Sequence, residues 1–128
     1  MAVDPDFEAH VRDLFAGLGP LRSGRMFSGV ALYAEEDAMF AMIAADGVVY
    51  LKTSPATIDR FREAGSEPFT YMRREGPRET SLMSLPEPAM DDPDAALAWA
   101  QLAMGPAREA AEKKRAGKAR RSARKTAG

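Results

Sequence analysis

The chain has 128 residues, of which 45% are hydrophobic and 29% charged, proportions typical of one compact globular domain. Because it contains no cysteine and a single histidine, the composition excludes disulfides, thiol nucleophiles and metal centres built on several Cys or His ligands. The net charge of −1 hides an asymmetry, since residues 112–128 carry +7 and residues 1–111 carry −8. No apolar stretch is long enough to span a bilayer and the start has no signal-peptide pattern, so we expect a cytoplasmic protein.

The first predicted element is a helix. Asp4 is a suitable N-cap, Pro5 suits the first helical position, and Gly19-Pro20 is a stop signal. Between them apolar residues recur at helical spacing, which predicts one buried stripe. The stripe consists of Phe7, Val11, Leu14, Phe15 and Leu18.

From residue 21 the hydrophobic period changes to that of β-strands. Four strands are predicted, over residues 25–27, 30–34, 39–44 and 48–52. Asp46-Gly47 predicts a two-residue type I′ hairpin between the last two, because both central positions of that turn need positive φ. The short connections favour an antiparallel meander, since helical crossovers need about a dozen residues or more.

The second half of the chain adds two helices and two strands. They are a helix from Ser54-Pro55 to Gly65, strands over residues 69–73 and 80–85, and a helix that begins at Asp92-Pro93. The order α-β-β-β-β-α-β-β-α predicts a two-layer α+β fold, in which helices pack on an antiparallel sheet of five to six strands.

The C-terminal end differs from the rest of the chain. Beyond Gly105-Pro106 no residue larger than alanine is available for burial, and lysine and arginine dominate. We therefore expect a domain over residues 1–108 and a basic tail over residues 109–128. The tail is expected to continue as a helix for a few turns and to be mobile beyond about Arg115.

Several ordered motifs in the chain match a known family. They are Arg25-Met26-Phe27-Ser28-Gly29, Val30-Ala31-Leu32-Tyr33, Met39-Phe40-Ala41-Met42-Ile43 and Val49-Tyr50-Leu51-Lys52, followed by Phe61, Ala64-Gly65, Glu67-Pro68-Phe69, Tyr71, Leu85-Pro86 and Trp99. Over roughly residues 7–108 they resemble the N-terminal domain of the TfoX/Sxy family, which is named for regulators of natural competence in bacteria. The family motif usually reads Arg-Met-Phe-Gly-Gly, and Ser28 replaces its first glycine here.

This resemblance implies a small α+β domain with a secretion-chaperone-like arrangement of helices on an antiparallel sheet. It also implies a regulatory role, in which the family assists transcription of DNA-uptake genes together with the cyclic-AMP receptor protein. The competence regulators carry a second, C-terminal domain. Here we expect the basic tail in its place, which makes the chain a single-domain relative.

The segment from Arg25 to Gly29 is the candidate protein-interaction site. Arg25 beside the aromatic Phe27 would form a recognition strand, and Gly29 would let a partner backbone approach. The alternative is structural, with Met26 or Phe27 packed under the helices and Gly29 in a bulge or tight turn. The glycine and lysine spacing of a phosphate-binding loop is absent.

The tail is the candidate nucleic-acid site. Its cations could neutralise several phosphates and release counterions, which gives binding without sequence preference. The tail has no aromatic residues, so no base readout is expected. The alternatives are a solubilising extension and a tail that folds back on the acidic body. The cations are Lys113, Lys114, Arg115, Lys118, Arg120, Arg121, Arg124 and Lys125.

Other polar and aromatic residues have structural interpretations. Tyr33, Tyr50 and Tyr71 are expected to pack their rings on the sheet, because an acidic body opposes stacking on nucleic acid. His10 is expected to be solvated, and the acidic clusters at residues 35–37 and 91–92 lack the spacing of a calcium loop. No catalytic residue, metal ligand or cofactor is predicted.

Two functions remain open. The first is a non-enzymatic regulatory or adaptor domain, which acts through a protein partner such as the transcription machinery while the tail adds non-specific affinity for nucleic acid. The second is a small homo-oligomeric interaction module, such as a homodimer, with no role in competence or transcription. An enzyme is disfavoured because nothing groups an acid, a base and a nucleophile. A membrane role is disfavoured because the tail lacks large apolar residues.

Overall fold

Six antiparallel strands and three α-helices form the protein in a computed structural model, which describes residues 3–26 and 28–127 and the side chains up to residue 122. The predicted α+β class and the order of its elements are confirmed. The helices are α1 (Pro5–Leu14), α2 (Ile58–Glu63) and α3 (Pro93–Ala127). The strands are β1 (Leu21–Met26), β2 (Gly29–Ala34), β3 (Ala38–Ile43), β4 (Val49–Lys52), β5 (Pro68–Arg73) and β6 (Gly76–Ser84), and short 3-10 helices cover Ala16–Leu18 and Glu87–Asp91.

The strands follow the order β1-β2-β3-β4-β6-β5, and every neighbouring pair is antiparallel. The first four strands form the predicted meander. Strand β6 pairs with both β4 and β5, so β5 lies at one edge of the sheet and β1 at the other. A bulge between Leu32 and Tyr33 interrupts the register of the β2–β3 pair, which increases the local twist.

One face of the sheet packs against α1 and α3 to form the main core. The rings of Phe15 and Phe40 meet edge to face with their centroids 5.3 Å apart. The rings of Phe61 and Trp99 are 4.7 Å apart. Such pairs stabilise a core beyond the area that they bury. Where α3 crosses the sheet, its buried positions are mostly alanines, whose small side chains allow a close approach: Ala96, Ala100, Ala103, Ala107 and Ala111.

The second face of the sheet carries a smaller cluster. Met42 and Leu82 are buried there, and Met26, Tyr50 and Phe69 pack around them. The rings of Tyr50 and Phe69 meet edge to face at 5.1 Å. This face therefore presents thioethers and aromatic rings rather than the polar residues usual for a solvated sheet face.

The predicted type I′ turn at Asp46-Gly47 is wrong. Only Gly47 has positive φ (87°), and the amide of Ala44 donates to the carbonyl of Val48, which closes a three-residue loop. Consecutive residues with positive φ occur instead between β2 and β3, at Glu35 (52°) and Glu36 (73°). Glutamate adopts this conformation at a cost of about 1–2 kcal/mol per residue, so contacts elsewhere must hold the turn.

Helix α3 passes the boundary expected at residue 108 without a break and runs to Ala127. Asp92 caps its start by accepting hydrogen bonds from the amides of Asp94 and Ala95. Pro106 lies inside the helix, although a proline there removes one backbone hydrogen bond. The mobility expected beyond Arg115 stays a prediction.

Candidate functional site

One face of α3 changes from apolar to basic along its length. The buried residues Ala100, Met104, Ala107 and Ala111 follow one another at intervals of three and four residues, which places them on one side of the helix. The same intervals continue to three cations, all exposed: Lys114, Lys118 and Arg121. We call residues 112–127 of α3 the basic extension. Its row of cations therefore continues the line along which the helix contacts the sheet.

Two ion pairs attach α3 to the strained β2–β3 turn. The Arg108 guanidinium donates to both carboxylate oxygens of Glu35, with Nε–Oε1 at 2.9 Å and Nη2–Oε2 at 2.6 Å. About two turns further along α3, Arg115 donates to Asp37. The guanidinium of Arg22 donates to the backbone carbonyl of Glu36 at 3.0 Å. Three arginines thus hold three successive acidic residues of the turn.

These contacts bear on the alternative in which the tail folds back on the acidic body. The hydrogen bond from Arg108 lowers the pKa of the Glu35 carboxyl, and Glu35 in turn raises the pKa of Arg108. Within the basic extension, Arg115 is paired with an acidic residue of the body, and Lys113 pairs with Glu109 of its own helix at 3.4 Å. The cations that follow Arg115 in the described part, up to Arg121, form no ion pair and remain available to an external anion.

A cavity of about 360 Å³ lies where α3 passes the end of the sheet. Strand side chains form one wall, and the Ala107–Lys114 segment of α3 forms the other. We call it the Lys52 cavity. Its lining combines apolar groups with two ammonium groups: Met26, Tyr33, Asp37, Met39, Lys52, Ala107, Ala110, Ala111 and Lys114.

Lys52 brings its charge into this cavity from the end of β4. The side chain is about half buried, and that burial, together with the positive charge of Lys114, lowers the pKa of its ammonium group. Among the described residues, neither Lys52 nor Lys114 forms an ion pair. Asp37 is the single carboxylate in the lining, and it already binds Arg115.

A second groove continues from the cavity along α3. It has a volume of about 350 Å³ and is lined by Asp37 and four cations, Lys114, Arg115, Lys118 and Arg121. Asp37 and Lys114 belong to both linings, so the two spaces adjoin. The groove is strongly basic and almost without apolar side chains, whereas the Lys52 cavity is mixed.

Of the candidate protein-interaction segment, Arg25 lies on the edge strand β1 and Gly29 on its neighbour β2, and Met26 between them lines the Lys52 cavity together with Lys114. Arg25 is exposed on β1 and lies opposite Val30. A Cβ atom on Gly29 would lie 2.1 Å from the Ile43 carbonyl oxygen, so the backbone that approaches Gly29 belongs to this chain. Phe27 lies outside the described residues. In the described part, no hydrogen bond or ion pair joins this segment to the basic extension.

The residues given structural interpretations are placed as follows. Tyr33, Tyr50 and Tyr71 are all half buried on the sheet. The Arg22 guanidinium lies 4.2 Å from the ring centroid of Tyr33, and burial raises the pKa of Tyr50. His10 is exposed, with Nε2 3.1 Å from the carbonyl oxygen of Met90.

Sequence reasoning did not find Lys52. Alternation along β4 places it on the same face as Tyr50, but nothing local indicates that a helical segment more than fifty residues later passes beside it. One signal was present, because the helical spacing of Ala107 and Ala111 continues to Lys114. Neither a membrane-spanning helix nor a group of metal-binding side chains occurs in the described part of the chain.

Comparison with known proteins gives one family. The sequence model of the TfoX N-terminal domain matches residues 13–107, which contain all six strands and most of the part of α3 that packs on the sheet. No curated protein matches the chain. The basic extension begins after the matched residues end, so the Lys52 cavity lies between the family domain and this added segment.

Proposed function

Because the chain belongs to the TfoX N-terminal domain family, we propose that it is a non-enzymatic regulatory or adaptor domain that binds nucleic acid through its basic extension. In this proposal the domain acts in the cytoplasm on transcription, through a protein partner. The extension adds affinity for nucleic acid of any sequence and so concentrates the domain near its target.

The row of cations on α3 carries the proposal. Lys114, Lys118 and Arg121 occupy successive turns of one helix face, and all three are exposed. A helix that holds cations in line presents them to successive phosphates without first ordering a flexible chain. Each phosphate neutralised releases counterions, which favours binding at low salt. Two acidic residues of the body beside α3, Glu35 and Asp37, are already paired with arginines, so they oppose the approach of a polyanion less.

The test is fluorescence anisotropy with a generic labelled duplex at several salt concentrations. Wild-type protein should bind with an affinity that falls as salt rises. K118Q/R121Q should bind more weakly, and its slope of log affinity against log salt should be less steep by about 1.8, since each lost phosphate contact contributes about 0.9. Circular dichroism would show that α3 is retained.

R60Q/R78Q is the matched control. It also removes two exposed arginine charges, from α2 and β6, and leaves α3 unchanged. Its slope should equal that of wild type. Equal losses in the two variants would mean that net charge alone governs binding, and no binding by wild type at low salt would reject the nucleic-acid role.

The partner surface is proposed at the edge strand β1. Arg25 is exposed there with no ion pair among the described residues, and edge strands offer free backbone groups to a second protein. RNA polymerase or its regulators should be retained by immobilised wild-type protein and lost with R25E. Arg78 lies at the other side of the sheet, next to edge strand β5, so R78E should retain the partner. Loss with both variants would indicate a charge effect without a defined surface.

A self-associating module is the second candidate, and the exposed side chain of Met72 favours it. Met72 is 74% exposed on the other edge strand, β5, where an apolar side chain beside unpaired backbone groups suits pairing with a second copy. Sedimentation equilibrium decides this point. A dimer that M72K converts to monomer would support self-association, and a monomeric wild type would remove the candidate.

A further inference from the structure

We propose that the Lys52 cavity is a binding site for a small organic phosphate, a phosphate monoester that carries an apolar or aromatic group. The site shares Lys114 with the row of cations on the basic extension, but its other residues lie outside that row, and its ligand binds without nucleic acid. It would make the junction between the family domain and α3 responsive to a small molecule.

Charge is the first argument. Lys52 and Lys114 face the same cavity, and their mutual repulsion is one cause of the lowered pKa of Lys52. The carboxylate of Asp37 is already paired with Arg115, so the lining holds two positive charges without a counterion. Ammonium groups converge without a partner at a cost in free energy, and a bound anion between them removes that cost. A phosphate monoester carries nearly two negative charges at neutral pH, which matches the pair.

The remaining lining indicates an apolar body on the ligand. The thioethers of Met26 and Met39 are flexible and adapt to a ligand surface, and the half-buried ring of Tyr33 offers an aromatic wall. On the helix side, the methyl groups of Ala107 and Ala110 complete the space. A free inorganic phosphate would leave these groups without contact, so the lining favours an organic ester.

Size limits the class of ligand further. A volume of about 360 Å³ lies near the lower end of the range for small-molecule sites, roughly 300–1,000 Å³. It accommodates one phosphate with a bicyclic ring or a short chain, but not a polymer. The adjoining basic groove is lined by charged residues alone, without the methionines, tyrosine and alanines of the cavity, so an aromatic group on the ligand favours the cavity over the groove.

The experiment is isothermal titration calorimetry of the full chain with 1-naphthyl phosphate. Inorganic phosphate tests the charge without the ring, and 1-naphthol tests the ring without the charge. Saturable one-to-one binding of 1-naphthyl phosphate should be tighter than that of either fragment by about tenfold or more, because each fragment loses one group of contacts. Absence of saturable binding would overturn the proposal. Inorganic phosphate that binds as tightly as the ester would overturn its organic part.

Three variants in which methionine replaces a lysine locate the site. K52M and K114M keep the apolar stem and remove the ammonium group, and each should weaken binding by about tenfold. K113M is the matched control, since Lys113 lies next to Lys114 but pairs with Glu109 and does not line the cavity. An equal loss in K113M would contradict the site. Because Lys114 is exposed on a helix, K114M tests the proposal even if K52M does not fold.

The same variants separate this inference from the nucleic-acid role. K118Q/R121Q should lose duplex affinity and retain 1-naphthyl phosphate, because neither residue lines the Lys52 cavity. K52M should lose the ester and retain the duplex. If both ligands respond to K118Q/R121Q, and neither responds to K52M, phosphate binds along the groove and the cavity has no ligand of this class.

Discussion

Helix α3 consists of a first half, residues 93–111, and the basic extension, residues 112–127. Side chains at equivalent positions of the helical repeat have opposite surroundings in the two halves. In the first half, Met104 and Ala111 face the sheet and are almost fully buried. Two turns after Ala111, at the same phase, Lys118 is exposed. Their exposure differs because the sheet ends near Ala38 and Lys52, and no described strand covers that side of the helix beyond this point. A single helix therefore anchors the domain at one end and presents charge at the other.

The largest expected effect compares Met104 with Lys118, which occupy equivalent positions in the two halves. M104A removes a buried side chain and leaves a cavity, so the free energy of unfolding should fall by about 2–5 kcal/mol. K118A removes an exposed side chain and should change it by less than about 0.5 kcal/mol. Urea denaturation followed by circular dichroism measures both. Similar losses would mean that the extension packs as tightly as the core.

Pro106 lies close to the junction of the two halves, and its replacement should give the second largest change in the free energy of unfolding. Proline lacks the amide that would bond to the carbonyl of Leu102, so P106A should raise the free energy of unfolding by about 1–3 kcal/mol. P93A is the control, since proline is favourable at the first position of a helix and its removal should not stabilise the protein. Thermal unfolding distinguishes the two. A destabilised P106A would show that the half-buried ring contributes packing that outweighs the lost hydrogen bond.

Lys52 should give a smaller effect that depends on pH. Burial and the charge of Lys114 lower the pKa of Lys52 below 10.5, so folding disfavours its charged form. K52M removes that charge and should therefore stabilise the protein. The gain in the free energy of unfolding should be less than about 1 kcal/mol, because the group is half exposed. The unfolded chain binds the extra proton, so the penalty is complete below the folded pKa. It disappears as pH rises through that value and past 10.5. The stability difference between K52M and wild type, measured by urea denaturation at neutral and alkaline pH, should therefore narrow in alkaline buffer.

Glu35 attaches α3 to the β2–β3 turn through Arg108, and its substitution should have the smallest effect on stability. E35Q weakens the pair with Arg108, so amide hydrogens of α3 near Arg108 should exchange faster than in wild type. Because the pair lowers the pKa of Glu35, its contribution is present above 4.5, the unfolded value, and is lost as pH falls through the folded pKa. The two proteins should therefore exchange alike in strong acid.

E36Q is the control for this pair. The side chain of Glu36 forms no hydrogen bond or ion pair in the described part of the chain, so its exchange rates should match those of wild type. Faster exchange in E36Q would mean that the net charge of the turn, rather than the bidentate pair, holds the helix.

Hydrophobic periodicity predicted the fold well, because the signals that define each helix and strand are local in sequence. The order of the elements, the Asp4 cap and the meander follow from residues close in sequence. The turns were harder to predict from the sequence, because glutamate has no preference for positive φ. The conformation of Glu35 and Glu36 depends instead on strand pairing and on three distant arginines.

The candidate site was predicted only in part, because it depends on contacts between distant segments. The cations of the basic extension were visible in the sequence, but no apolar residue larger than alanine follows Gly105-Pro106, so only a few helical turns were expected and not the continuous helix that aligns the cations. Packing of Ala107 and Ala111 on the sheet sustains that helix despite the proline. Likewise, Gly29 was interpreted as a site for a partner backbone, and the approaching carbonyl proved to be that of Ile43.

The length of α3 sets a distance scale for the whole molecule. From Ala111 to Ala127 the helix rises about 24 Å, at 1.5 Å per residue. A duplex advances about 3.4 Å per base pair, so a rod of this length lies alongside about seven base pairs. In the proposed role the extension therefore sets a minimum length for tight binding. Duplexes shorter than about seven base pairs should bind progressively more weakly, and longer ones should gain affinity only through additional overlapping sites.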